Sequence, residues 1–344
     1  MKRKITFLIA LFISVTVFGQ TTYVPDDNFE AYLEANGMGD GIPDNDLVTT
    51  ANISGVTTLD VSGQSIADMT GIEDFAALTN LNCSNNDISS LNMSSNTALT
   101  DLDCNTNGWL TSLIVSSNTA LIKLTCFSCD LSTLDVSNNT ALEKLDCYYN
   151  SFTSLDVSNN TALTYLDCTG NQLTSLDVSN NTALTYLACI SNQLSALGLS
   201  SNTNLESLLC SNNQLSTLDI SNNTALNNLY CDNNQLTSLD VALNVLLMSL
   251  ICNNNQLTYL NIANGHNSDL WILDAQNNSN LQTICVDDAN NAPPTGINYS
   301  WTKDATASYI TCQSNPVPVS DWAILPAILL MIGFVVFQYK RKWA

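Results

Sequence analysis

Nine cysteines, Cys83, Cys104, Cys126, Cys147, Cys168, Cys189, Cys210, Cys231 and Cys252, follow one another at intervals of 21 residues, with a single interval of 22. A unit that short cannot enclose a core, so each copy must bury its apolar face against its neighbours. The length of 344 residues would by itself suggest about two domains. The period overrides that expectation, because stacked repeats form one elongated body.

One unit carries Leu163, Leu166, Cys168, Asn171 and Leu173, then Leu176, Asp177, Val178 and Asn181. The first half reads L-x-x-L-x-C-x-x-N-x-L and the second L-x-x-L-D-V-x-x-N. Leu166 and Cys168 alternate on a short strand and point to one side, giving each coil an apolar face. Asn171 ends the strand where the chain turns, and its side chain can satisfy backbone groups left unpaired by the bend. The same position holds Asn86, Asn107, Asn150, Asn192, Asn213, Asn234 and Asn255, while Cys129 takes it in one coil.

These residues resemble the leucine-rich repeats of bacterial surface proteins in a short, internalin-like form, over about residues 50 to 290. The resemblance implies an α/β-type repeat solenoid, mostly β, of short parallel strands. Nine or ten coils about 4.8 Å apart would give a stack ~45 Å long. Two departures, an extra residue near Gly108-Trp109 and a longer unit at Gly265-His266-Asn267, are expected to be local bulges in loops. The solenoid is assigned to 50–284, between an N-terminal cap at 20–49 and a C-terminal cap at 285–314. Phe29, Tyr32 and Leu33, with acids near the start of Asp26 to Asn36, predict a helix in the first cap.

Both ends read as addresses. Met1 to Lys4 is basic and Ile5 to Phe18 apolar, so 1–19 is expected to be a secretory signal peptide cut before Gln20. At the other end 315–322 is a Pro-containing linker, and 323–344 holds an apolar run, Ala323 to Phe337, followed by Lys340, Arg341 and Lys342. As a helix, Trp322 to Tyr339 would span ~27 Å, barely a bilayer core, with the basic cluster left cytoplasmic. This tail is similar to exosortase-type sorting tails, which implies cleavage and transfer to the cell surface. The expected location is the cell surface, outer envelope or extracellular space. The expected partners include the export and sorting machinery, and the membrane unless the tail is removed.

Charge excludes one class of partner. Between Gln20 and Asp321 three lysines, Lys123, Lys144 and Lys303, stand against all 31 acids, a balance of −28. Such a surface repels phosphate backbones, so nucleic acid is not a partner. Charged residues make up only 12% of the chain, about half the usual share, and Asn, Ser and Thr must solvate the rest.

The cysteines suggest a metal or redox array, yet their spacing is simply the period, and they are read as free thiols packed as small apolar groups. Cys126 and Cys129 likewise fall in structural columns. Cys285 and Cys312 lie outside the ladder in an exported segment with no large core, where a disulfide is expected. His266, the single histidine, sits in a Gly/Asn loop with no nucleophile motif. No G-x-S-x-G, H-E-x-x-H or phosphate-cradling loop is present, so the chain is not read as an enzyme. No metal site or cofactor is assigned. Calcium stays open at Asp40 to Asp46, where a turn is the simpler reading, and along the column Asp135, Asp156, Asp177, Asp219 and Asp240.

The outward positions beside the Cys column vary while the other half-repeat hardly changes, as a recognition surface requires. Three before the cysteine stand Asp101, Lys123, Lys144, Tyr165 and Tyr186; one after it stand Phe127, Tyr148, Thr169 and Ile190. The predicted site is a concave patch of Lys123, Phe127, Lys144, Asp146, Tyr148, Tyr165, Asp167 and Tyr186, with Tyr149 at its rim. Aromatic and polar groups together suit a protein segment or a glycan at a cell surface. The expected function is noncatalytic adhesion or protein binding; the alternative is a cation-dependent structural component of the envelope or matrix.

Overall fold

The computed structural model describes residues 19–294 and 299–312, so residues 1–18 of the predicted signal peptide and the linker and tail from 315 onward lie outside the described residues. Each repeat contributes one strand of three or four residues on the Cys side, and the strands pair in parallel with no offset. Leu166, for example, lies between Leu145 and Leu187. The result is a twelve-stranded parallel sheet running from Thr58–Asp60 to Ser300–Lys303.

The sheet is longer than the nine or ten coils read from the cysteines, because the ladder continues where the cysteine is replaced. Val61 precedes the thiols and Ala275 follows them, both fully buried, and one last strand, with Lys303 in register with Ala275, closes the sheet. A parallel ladder needs only a small apolar group there, so the thiol is a marker of the period and not a condition for it. Twelve strands at ~4.8 Å give a stack about 53 Å long.

On the opposite face the half-repeats form strands only in places: Ser90–Asn92 with Ser112–Ile114, and a four-stranded sheet from Ser238–Asp240 to Ser308–Thr311. Between the faces lies one continuous apolar cluster. In the unit at Cys168 its members are Leu163, Leu166, Cys168, Leu173, Leu176 and Val178, all buried. Nine ladder thiols are free and buried, and burial raises the pKa of each. Cys210 is pushed up to about 12, so these groups stay protonated at neutral pH.

Two columns of buried asparagine lace the coils together. Asn171 donates from Nδ2 to the carbonyl oxygens of Cys147 (3.2 Å) and Cys168 (2.9 Å), and its Oδ1 accepts from Phe152 N (3.1 Å). Asn181, in the second column, donates to Val157 O (3.0 Å) and Asn160 O (2.9 Å). The coil with Gly108-Trp109 shows why one asparagine is dispensable. The extra residue lets Leu110 N bond Asn107 O within its own coil (2.9 Å), so no N–H awaits an acceptor from the next coil. There Cys129 stands in the column, its Sγ 3.5 Å from Cys104 O as a donor. Trp109 itself is turned outward in the bulge.

The first cap is a helix, Asp27–Ala35, beside an antiparallel pair, Thr21–Tyr23 and Leu47–Thr49. Asp26 caps the helix: Oδ1 accepts from Asn28 N (3.1 Å) and Phe29 N (3.0 Å), while Oδ2 accepts from Ala67 N (2.8 Å) and Asp68 N (3.0 Å) of the first coils. Phe29 and Leu33 are fully buried, and Phe29 stacks on Phe75 at 6.3 Å. At the other end Thr283–Val286 and Ser308–Thr311 are neighbouring parallel strands, and the disulfide Cys285–Cys312 ties them.

Candidate binding surface

Because side chains alternate along a strand, Leu145 and Leu166 point inward and the residues on either side of them point out. Register then builds rows across neighbouring coils. Lys123, Lys144, Tyr165 and Tyr186 lie side by side, and so do Thr125, Asp146, Asp167 and Ala188. Phe127, Tyr148, Thr169 and Ile190 continue one position past the cysteines. All eight predicted site residues therefore sit on four adjacent coils of one face.

The rings form two short stacks. Phe127 and Tyr148 lie parallel with centroids 4.2 Å apart, and Tyr165 and Tyr186 with centroids 4.5 Å apart. Lys144 Nζ is 4.8 Å from the Tyr165 centroid, a cation–π contact, and 3.4 Å from Asp146 Oδ2. Lys123 Nζ stands 3.4 Å from Asp101 Oδ1 at the margin. Rings stacked along the solenoid axis cover one another's faces and turn edges and phenolic oxygens outward.

The middle row is electrostatically costly. Burial raises the pKa of Asp146 and of Asp167, although Lys144 acts on both in the opposite sense. Asp146 Oδ1 accepts no hydrogen bond. Asp167 Oδ1 accepts from Thr169 N (2.9 Å). Burial, followed by these two carboxylates, also raises the phenols of Tyr148 and Tyr165.

Tyr149, expected at the rim, meets Tyr148 edge-on at 5.2 Å. It occupies a turn position that is left-handed in nearly every coil, held elsewhere by residues such as Asn85, Ser191 and Asn212, and its own φ is 53°. A bulky residue there is strained. The next coil has Gly170 at the same position, and a Cβ on it would come within 2.3 Å of the Tyr149 ring. The ring lies in the space the glycine leaves. That pairing, Tyr149 followed 21 residues later by Gly170, was present in the sequence as a deviation from the turn pattern and was missed there.

A second feature was also missed. Leu243, Val245, Leu246, Met248, Trp271 and Ile272 are exposed along one bend of the solenoid. The signal was the replacement of the usual polar turn, as in Ser179 to Thr185, by Ala242 to Met248.

The remaining candidates have structural surroundings. Asp135, Asp156, Asp177 and Asp219 are lowered in pKa by hydrogen bonds from the serine two residues on. In the Asp40 to Asp46 turn, Asp40 accepts from Ile42 N (2.9 Å) and Asn45 Nδ2 (3.1 Å), so its oxygens serve the turn itself. His266 is exposed, 3.4 Å from Asp269 Oδ2. Among the described residues no group of three or more His, Cys, Asp or Glu is placed to hold a metal ion. No helix of the described residues is long and apolar enough to cross a membrane.

The architecture is that of a leucine-rich-repeat solenoid, and the chain is similar to known proteins of that architecture. No family model matches the chain. It is 40% identical over 75 residues to internalin J of Listeria monocytogenes serotype 4b (strain F2365), which is 22% of this chain and only 8% of that protein. The solved functional domain of internalin J from Listeria monocytogenes, which includes a cysteine ladder, aligns over 78% of this chain and 76% of its own, with 28% identity and a TM-score of 0.46. A leucine-rich-repeat protein of Leptospira interrogans aligns over 68% and 67%, with 21% identity and a TM-score of 0.51. The last likeness bears on fold alone.

Proposed function

We propose that the chain is a noncatalytic, exported binding protein displayed at the cell surface, which attaches to proteins through the long-sheet face around Lys123 to Tyr186. The observation that carries this reading is the concentration of aromatic, lysine and aspartate side chains on four neighbouring coils, while the outward positions of the opposite face repeat nearly unchanged. Aromatic side chains supply large contact area at little entropic cost, and the scaffold tolerates their exchange.

A polypeptide suits the patch better than a glycan. Sugar rings bind to open aromatic faces, whereas these faces are largely taken up by one another and by Lys144. Edges and hydroxyls are what a protein surface would meet. The short likeness to internalin J agrees with a surface protein, as do the predicted signal peptide and the exosortase-like tail.

Exchange of Tyr148, Tyr165 and Tyr186 together for Ser tests the site. Attachment of cells displaying the protein to protein-coated surfaces is expected to fall at least tenfold with the thermal melting curve retained. Attachment at the parental level by a folded variant refutes the site. Mass spectrometry of the mature C-terminus tests the tail: loss of the last residues supports sorting, and an intact Ala344 refutes it.

A further inference from the structure

On that reading of the face, one part of it has a more specific chemistry. Asp146 and Asp167 are paired across neighbouring strands, about 4.8 Å apart, in the outward row between the two ring stacks. The Asp146 side chain retains 9% of its exposure, and its Oδ1 has no hydrogen-bond donor. A carboxylate oxygen buried without a donor is unstable in isolation. Two carboxylates here stand against one ammonium, that of Lys144. The acidic row continues toward the N-terminus through Thr125 to Asp103, beside a hollow of about 330 Å³ lined also by Asp60 and Asp101.

We propose that Asp146 and Asp167, flanked by the ring stacks, form a seat for an arginine side chain of the partner protein. Lys144 shows the kind of group the place accepts: its ammonium lies beside a carboxylate and over a ring. A guanidinium adds what an ammonium cannot. Its planar fork can bridge two carboxylates one strand apart, and its flat surface packs against ring edges at a lower dehydration cost. The balance of −28 across the exported part of the chain would draw a basic partner in.

The test measures binding of fluorescent octa-arginine and octa-lysine to the full chain at fixed ionic strength. Asp146→Asn with Asp167→Asn is expected to weaken octa-arginine at least tenfold. Asp156→Asn with Asp177→Asn, the same change of charge on the opposite face, should weaken it less than twofold, and octa-lysine should bind the parent at least threefold more weakly than octa-arginine. Lys144→Met, which removes the internal cation and leaves both carboxylates, should strengthen octa-arginine at least threefold. Equal losses from the two aspartate pairs, no loss from either, or no gain from Lys144→Met overturns the seat. If the tyrosine variant abolishes cell attachment while the Asp146/Asp167 variant keeps it, the seat is refuted and the wider binding face stands. If the tyrosine variant keeps attachment, that wider reading falls, and the peptide measurements still decide the seat.

Discussion

The exchange of asparagine for cysteine in one coil allows the asparagine column to be dissected by a matched pair of variants. Asn192 donates to Cys168 O (3.1 Å) and Cys189 O (3.2 Å) and accepts from Leu173 N (3.0 Å). In Asn192→Cys the thiol can still donate once, weakly, but Leu173 N–H is left buried without an acceptor. An orphaned buried donor costs about 1–3 kcal/mol and the lost donation adds about 1, so the variant should lose about 2–4 kcal/mol. Cys129→Asn is the converse. Leu110 N is already bonded to Asn107 O, so a new amide oxygen would find no client, and stability should stay within about 1 kcal/mol of the parent. Urea unfolding followed by circular dichroism, without reductant so that Cys285–Cys312 stays closed, measures both. A cost below about 1 kcal/mol for Asn192→Cys, or a gain above about 2 kcal/mol for Cys129→Asn, would show that the accepting role of the column is not what holds adjacent coils together.

Gly170→Ala places a Cβ against the Tyr149 ring at a residue whose φ is +65°, so a loss of about 1–2 kcal/mol and a lower melting temperature are expected; an unchanged melting curve would refute the close approach. The folded-state pKa values of Asp146 and Asp167 are raised, so the folded state binds protons more readily there than the unfolded chain. Their destabilisation is complete above the raised values and is relieved as pH falls toward the ordinary carboxylate range. The Asp146→Asn/Asp167→Asn variant should therefore melt higher than the parent at pH 7, with the difference shrinking toward pH 4; a difference that grows on acidification contradicts the sign. Opening Cys285–Cys312, which spans 27 residues, should cost about 3–4 kcal/mol, read as the fall in urea midpoint between Cys285→Ser/Cys312→Ser and the parent. Among the free thiols only Cys129 is partly exposed, so a thiol reagent should modify one group in the native state, and rapid modification of two or more would contradict the buried ladder.

The solenoid was legible because every coil states the same sentence: Leu166 and Cys168 inward, Asn171 at the turn, Leu173 and Val178 behind. Repetition averages away the ambiguity of any one strand of three residues. What the cysteines could not show was where the ladder ends, since Val61 and Ala275 meet the same packing need with no distinctive residue. The eight site residues could be placed side by side because parallel register without offset turns a spacing of 21 into a row. Their burial could not be read in the same way. Whether Asp146 is a solvated charge or a donor-starved one depends on neighbours from the next coil, Tyr165 and Asp167, and on how Lys144 lies over them. The repeat pattern describes what is common to all coils, whereas recognition depends on what differs between them. The deviations are therefore the informative positions: Tyr149 where the turn favours Asn or Ser, Gly170 opposite it, and Cys129 where the column has Asn. Each of those departures is matched in the structure by a second one, in the coil that touches it.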